Sequence, residues 1–259
     1  MTELLLTGRV VVVTGGTQGV GRGIAERCLE AGAHVLVCAR KPPTRAISAS
    51  GREAVFEALN VRSPEDIDRV IAVVQTRFGR LDVWINNAGG APPTDAASAS
   101  PRFTASIIDL NLTAALNCSQ KANAVMQQQS DGGCIIQIAS VSALRPSPGT
   151  AAYGAAKAGL LSATQSLAVE WAPKVRVNAV SPGLVQTELS ELHYGSAAGI
   201  AAAAGTVPLA RLAVPEDVGD ACVFLASARA SYISGANLLL HGGGESPAFL
   251  AAVASAGAR

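Results

Sequence analysis

Tyr153 and Lys157 stand four residues apart in "AAYGAAKAGL", a stretch whose other members are almost all Ala or Gly, in a chain with only three tyrosines. Residues at i and i+4 of a helix share a face, so a phenol and an ammonium at this spacing can project into one cleft. A free phenol has a pKa of about 10, poorly matched to proton exchange at neutral pH, and a neighbouring ammonium favours the phenolate and lowers that value. A tyrosine tuned in this way can protonate a carbonyl oxygen or take a proton from an alcohol. Ser140, thirteen residues before the tyrosine, closes the apolar run "CIIQIAS". The carboxyl ends of strands are where open α/β sheets place their ligands, and a hydroxyl there can hydrogen-bond an oxygen as it gains charge.

These groups need a scaffold that holds them. Continuous apolar runs occur at 10–13 ("VVVV"), 34–38 ("HVLVC"), 81–86 ("LDVWIN"), 134–140, 175–180 ("VRVNAV") and 236–240 ("ANLLL"). They alternate with helical patterns around 64–78, 102–129, from the Tyr153 stretch to "EWAP", and 215–227. Strands that are apolar throughout, separated by helices, predict an α/β fold whose parallel sheet is covered on both faces. Two segments fit less well. Residues 40–50 carry consecutive prolines where a crossover helix would fall, so they read as loop with at most a short helix after it. Residues 187–212 have few large apolar side chains and read as helix or mobile flap. No linker or repeat interrupts the pattern, so residues 1–259 are expected to form one domain with a flap at about 187–212.

Composition narrows the function classes. The chain is 49% apolar and 15% charged, which favours a globular protein over a disordered one. A net charge of +1 with intermixed signs gives no basic stripe for nucleic acid. No apolar stretch reaches the length of a membrane span and the opening "MTELLLTGRV" does not read as a secretory signal, so a cytoplasmic protein is expected. The five cysteines are scattered and read as reduced core residues, and the three histidines show no ligand spacing, so no metal site is expected.

"VVVVTGGTQGVGRGIA" places Gly15, Gly19 and Gly21 between a buried strand and a helix. Glycines at such a turn let a pyrophosphate approach the main chain, and the helix N-terminus offers it unpaired N–H groups and a positive dipole end. The spacing is not G-x-G-x-x-G, so that general dinucleotide signature is absent. With Thr14 included, T-G-x-x-x-G-x-G resembles the signature of the short-chain dehydrogenase/reductase family. "NNAG" at 86–89, Ser140, the Tyr153/Lys157 pair and "NAVSPGLVQT" at 178–187 follow in that family's order, so the resemblance covers nearly the whole chain.

The resemblance implies a Rossmann-type, doubly wound parallel sheet of about seven strands with helices on both faces, in three layers. It implies hydride transfer between a nicotinamide dinucleotide and a ketone or secondary alcohol, with Ser140, Tyr153 and Lys157 as the reacting set. Asn111, in "DLNLT", matches the fourth catalytic position, where the family holds a water that relays protons toward the lysine. Cofactor contacts carry over to Gly15, Thr17, Gln18, Gly19, Val20 and Gly21 in the glycine loop. Asn87, Ala88 and Gly89 are expected at the cleft floor, with Asn86 supporting the sheet beside them. Pro182, Gly183, Val185 and Thr187 fall near the nicotinamide, alongside Tyr153 and Lys157.

Adenine would meet Asn60 and Val61, where the family usually has Asp-Val; the Asn60 amide oxygen can still accept a hydrogen bond. Ala39 stands where an acid would select NAD(H), and Arg40 follows it with a guanidinium suited to a 2′-phosphate. The family's other NADP signal, a base before the middle glycine, is replaced by Gln18. On balance NADP(H) is favoured, with NAD(H) the alternative. Family members are oligomers, so a homodimer or homotetramer is expected, with small residues of the Tyr153 helix at its interface. Two rival readings remain open: a dinucleotide-binding sensor or scaffold without turnover, and a reductase of 3-oxoacyl thioesters. The first should lack part of the Ser/Tyr/Lys set; the second should carry a basic cluster in 187–212, which is absent.

Overall fold

The computed structural model describes residues 5–257. Its main sheet contains β1 (Val10–Thr14), β2 (His34–Ala39), β3 (Val55–Ala58), β4 (Val83–Asn86), β5 (Gly133–Ile138), β6 (Val175–Pro182) and β7 (Asn237–Leu240). The spatial order is β3-β2-β1-β4-β5-β6-β7, and every neighbouring pair is parallel. The winding reverses between β1 and β4, which opens a crevice at the carboxyl ends of the strands. This is the Rossmann-type, three-layer arrangement expected from the sequence.

Alternation along each strand divides the core in two. Val11 and Val13 of β1 pack with α1 (Gly19–Glu30) and, further along the chain, α8 (Pro215–Ala226). Val10 and Val12 face the other way, toward α2 (Pro64–Phe78), α4 (Ala114–Met126) and Ala168 of α5 (Ala151–Glu170). Trp84 is fully buried in that second layer, and its indole N–H donates to Asn86 Oδ1 at 2.8 Å. Asn86 in turn donates to Ser119 of α4, which also accepts from Gln137 of β5, so a polar thread fixes β4 and β5 to that helix. All five cysteines are buried, and burial pushes Cys28 and Cys118 up to about 12, which makes them packing groups rather than nucleophiles.

Three segments differ from, or sharpen, the sequence expectation. Between β2 and β3 there is no helix; after a loop, Ser48–Ala49 pairs antiparallel with Arg52–Glu53. The two turn residues, Ser50 and Gly51, both have positive φ (50° and 73°), the conformation that lets a two-residue loop follow the strand twist. Ile47 is buried beside this hairpin, and the Arg22 guanidinium donates to the carbonyls of Arg45 and Ala46. The long helix expected over 102–129 is α3 (Pro101–Ile108) and α4 joined by a π-helical turn, Asp109–Thr113. Residues 187–212 contain α6 (Ser190–Tyr194) and α7 (Ala197–Gly205), separated by Gly195 at φ 76°. Among the described residues no helix is long and apolar enough to cross a membrane.

Candidate active site

A cleft of about 960 Å³ opens at the carboxyl ends of the strands. Its wall collects every cofactor-contact residue expected from the sequence, from Gly15 to Thr187, together with Ser140, Tyr153 and Lys157. Asn111 stands behind that wall, fully buried.

The glycine loop is shaped by close approaches. A Cβ on Gly21 would lie 2.2 Å from Gly15 O and 2.4 Å from Asn87 Nδ2, so only hydrogen fits there. Thr14 ties this loop to its neighbour: its Oγ1 accepts from the N–H groups of Asn87 and Ala88, each at 3.0 Å. Asn87 Nδ2 returns the contact, donating to Thr14 O at 2.9 Å and Gly15 O at 3.2 Å. Thr14 and Asn87 therefore act as one clasp between β1 and β4, at the point where the winding reverses.

The reacting residues converge from two elements. Ser140 lies two residues beyond the end of β5, rather than inside it, and its Oγ accepts from Ser142 N at 3.1 Å. Tyr153 is on the first turn of α5, and the Ser140 hydroxyl is near enough to its phenol to favour the ionised form. α5 reaches this position because its small residues permit it. A Cβ on Gly154 would meet Ser142 O at 2.8 Å, and one on Gly159 would meet Leu112 of the π turn at 3.0 Å. These two glycines serve packing within the chain, whereas Ala155 and Ala158 stay exposed on the outer face.

Lys157 is 3% exposed, and its Nζ donates to Ile138 O at 2.7 Å. Nζ also sits 5.6 Å from the centroid of the Tyr153 ring. Burial lowers the amine to about 8. The same burial raises the Tyr153 phenol above its ordinary value, and the nearby Ser140 hydroxyl only partly opposes that rise. The sequence expectation of a phenol with a lowered pKa is thus corrected: in the free protein desolvation is the largest influence, and it acts upward.

Asn111 uses its whole amide on the main chain. Nδ2 donates to Gly90 O and Ile107 O, both at 2.9 Å, and Oδ1 accepts from Gly90 N at 2.8 Å. It clamps the loop after β4 to the π turn. Asn60 Oδ1, expected toward adenine, accepts from Arg62 N at 3.2 Å. Thr187 Oγ1 accepts from Leu189 N at 3.2 Å within the flap.

Several lining residues carried no sequence signal: Arg62, Gly90, Leu110 and Glu188. A second, smaller cavity of about 270 Å³ shares Gly183 with the cleft and is lined mainly by Val141, Leu144, Leu184, Val207 and Leu239. Arg145 and Glu245, also in its wall, pair at 2.6 Å.

A family model described as enoyl-(acyl carrier protein) reductase matches residues 15–245. The chain belongs to the short-chain dehydrogenase/reductase family. As an oxidoreductase of that family it resembles proteins of varied substrate. It is 35% identical to a 3-oxoacyl-[acyl-carrier-protein] reductase of Synechocystis over 253 residues, 92% of this chain and 97% of that one. It is 33% identical to a 3alpha-hydroxysteroid dehydrogenase of Mediterraneibacter gnavus over 251 residues, 94% of this chain and 99% of that one. A relative from Sinorhizobium fredii, an uncharacterized short-chain type dehydrogenase/reductase, is 36% identical over 91% of this chain, which spans only 43% of that longer protein. The solved structure of Thermoplasma acidophilum aldohexose dehydrogenase superposes with a TM-score of 0.85 at 31% identity, covering 92% of this chain and 94% of that one.

The depressed amine of this oxidoreductase has a stability consequence. Below about 8 the folded and unfolded chains both carry the Lys157 proton, and the penalty for burying its charge is fully present. Between about 8 and the ordinary value of 10.5 the unfolded chain binds more proton, so stability rises with pH. Urea unfolding of wild type and Lys157→Met across that window should show their difference moving toward wild type by about 1–3 kcal/mol. A difference that stays flat would contradict the burial argument.

Proposed function

We propose that this oxidoreductase interconverts a ketone and a secondary alcohol by hydride exchange with NADP(H), with Tyr153 as its acid–base group. The observation that carries the reading is the convergence of Ser140, Tyr153 and the buried Lys157 amine on the wall of a cleft floored by the glycine loop. Gly15, Gly21 and the Thr14–Asn87 clasp leave main chain bare where a pyrophosphate would lie, so the residues fit a dinucleotide.

When bound, the dinucleotide supplies or accepts the hydride at the carbonyl carbon. The chain's own groups manage the oxygen. Burial keeps the Tyr153 phenol protonated, the form that reduction consumes as the carbonyl oxygen gains charge. The Ser140 hydroxyl donates to the same oxygen and stabilises it. Lys157, at about 8, holds a proton near neutrality and can replace the one that leaves the phenol. In the oxidative direction each transfer reverses. Asn111, through Gly90, keeps the facing loop in position.

NADP(H) is the preferred form in this reading. Arg40 and Lys41 line the cleft after β2, and among the described residues neither has a carboxylate within ion-pair distance. The apolar second cavity beside the nicotinamide end supports a compact, mainly apolar substrate. The thioester alternative draws support from the Synechocystis relative but lacks a basic surface for a phosphopantetheine arm. Arg211 is the one Lys or Arg in 187–212, and it pairs with Asp217 at 2.6 Å. The sensor alternative is disfavoured by the complete Ser/Tyr/Lys set. Self-association through α4 and α5 belongs to the same reading, supported by Ala155, Ala158 and the 80% exposed Val169 on the outer face of α5.

Tyr153→Phe should lower ketone-dependent NADPH oxidation by at least about 100-fold while NADPH still binds; retained turnover would defeat the assignment. Arg40→Ala should weaken NADPH about tenfold and NADH hardly at all. Equal effects on the two nucleotides would overturn the NADP(H) preference.

A further inference from the structure

The Gly19 N–H, the first helical amide of α1, donates to Glu188 Oε1 at 2.9 Å across 169 residues of sequence. Gly19 is the middle glycine of the loop assigned above to the pyrophosphate, and Glu188 lies at the start of the flap. Both Gly19 and Glu188 line the same cleft. Among the described residues no cation pairs with Glu188, so this amide is the carboxylate's partner.

We propose that Glu188 is an intramolecular competitor for the cofactor's pyrophosphate, and that its displacement couples nucleotide entry to the flap. The proposal rests on the dinucleotide-binding reading. A helix N-terminus favours one negative group by its dipole and its unpaired N–H groups, and a second anion on the same amide is repelled. A pyrophosphate arriving at Gly19 therefore evicts the carboxylate.

Eviction removes the hydrogen bond that ties the flap to the glycine loop. Thr187 Oγ1 accepts from Leu189 N at 3.2 Å, and Thr187 N donates to the buried Ser190 Oγ at 2.8 Å, so 187–190 form one small folded unit leading into α6. On its upstream side that unit is anchored where Gln186 N donates to Ala213 O at 2.8 Å. Thr187, the residue expected at the nicotinamide carboxamide, shares a peptide bond with Glu188. Phosphate arrival at one end of the cleft thus releases the segment that carries the contact for the other end. The affinity of the free protein is reduced by the fraction of time Glu188 occupies the amide.

The test uses the full chain as Glu188→Gln and Glu188→Ala, with NADPH and NADH dissociation constants from nicotinamide fluorescence and hydrogen exchange of residues 187–194 without nucleotide. Both nucleotides share the pyrophosphate, so both should bind roughly three- to tenfold tighter in each variant, the scale of an exposed charge at a helix N-terminus. Exchange over 187–194 should be faster in Glu188→Ala than in wild type. Unchanged or weaker binding overturns the competition, and unchanged exchange overturns the coupling to the flap. Wild type that binds neither nucleotide would defeat the cofactor reading itself, an outcome distinct from either.

Discussion

An amine buried at the carboxyl end of β5, with Ile138 O as its hydrogen-bond acceptor at 2.7 Å, sets the terms for the rest of the candidate site. Removing that charge from water is unfavourable, which is why Lys157 falls to about 8. The position is held because α5 is pressed against the turn after β5 and against the π turn. Gly154 and Gly159 allow that approach, and larger residues would push the helix away by the width of a methyl group. The same approach desolvates Tyr153 and brings it to Ser140, so one packing decision tunes both titrating groups in opposite directions. The phenol keeps its proton and the amine loosens its own.

The nucleotide half of the cleft is organised by a different device. Thr14 and Asn87 exchange hydrogen bonds at the strand ends where the sheet order reverses, and Gly21 lies too close to Gly15 O for any side chain. Neither contact depends on α5. The two halves meet through the loop after β4, where Asn111 binds Gly90 in both directions, and a Cβ on Gly89 would fall 2.6 Å from Asn111 Oδ1 and 3.4 Å from Lys157 Nζ. That loop transmits the position of the π turn to the reacting centre.

Much of this was legible in the sequence, because buried parallel strands are apolar on both faces and glycines stand where backbones must touch. Six strands and the crossover helices follow from the first fact and the glycine turn from the second, whereas the other expected cleft residues came from the family resemblance. β3 was harder to read, since Val55–Ala58 at the sheet edge is only partly buried and mixes Glu57 with apolar residues. The π turn was hidden because inserting one widened turn leaves the helical periodicity nearly intact. Asn111 was singled out by the family resemblance alone, because its partner Gly90 is distant in sequence. The direction of the Tyr153 shift was misread for a related reason. Spacing reveals a neighbouring cation, but desolvation is a property of everything packed around the phenol. Glu188 had no signal at all, because its partner is an amide 169 residues away.

The account turns on Tyr153 being a half-buried, protonated phenol that a bound cofactor can retune. With only three tyrosines in the chain, its titration is accessible as the near-ultraviolet phenolate difference between wild type and Tyr153→Phe. In the free protein the difference band should emerge above the ordinary phenol value of about 10 and move to lower pH once the oxidised dinucleotide is bound. A free-protein band at or below that ordinary value would contradict the account, because burial would then not be what governs the acid–base group.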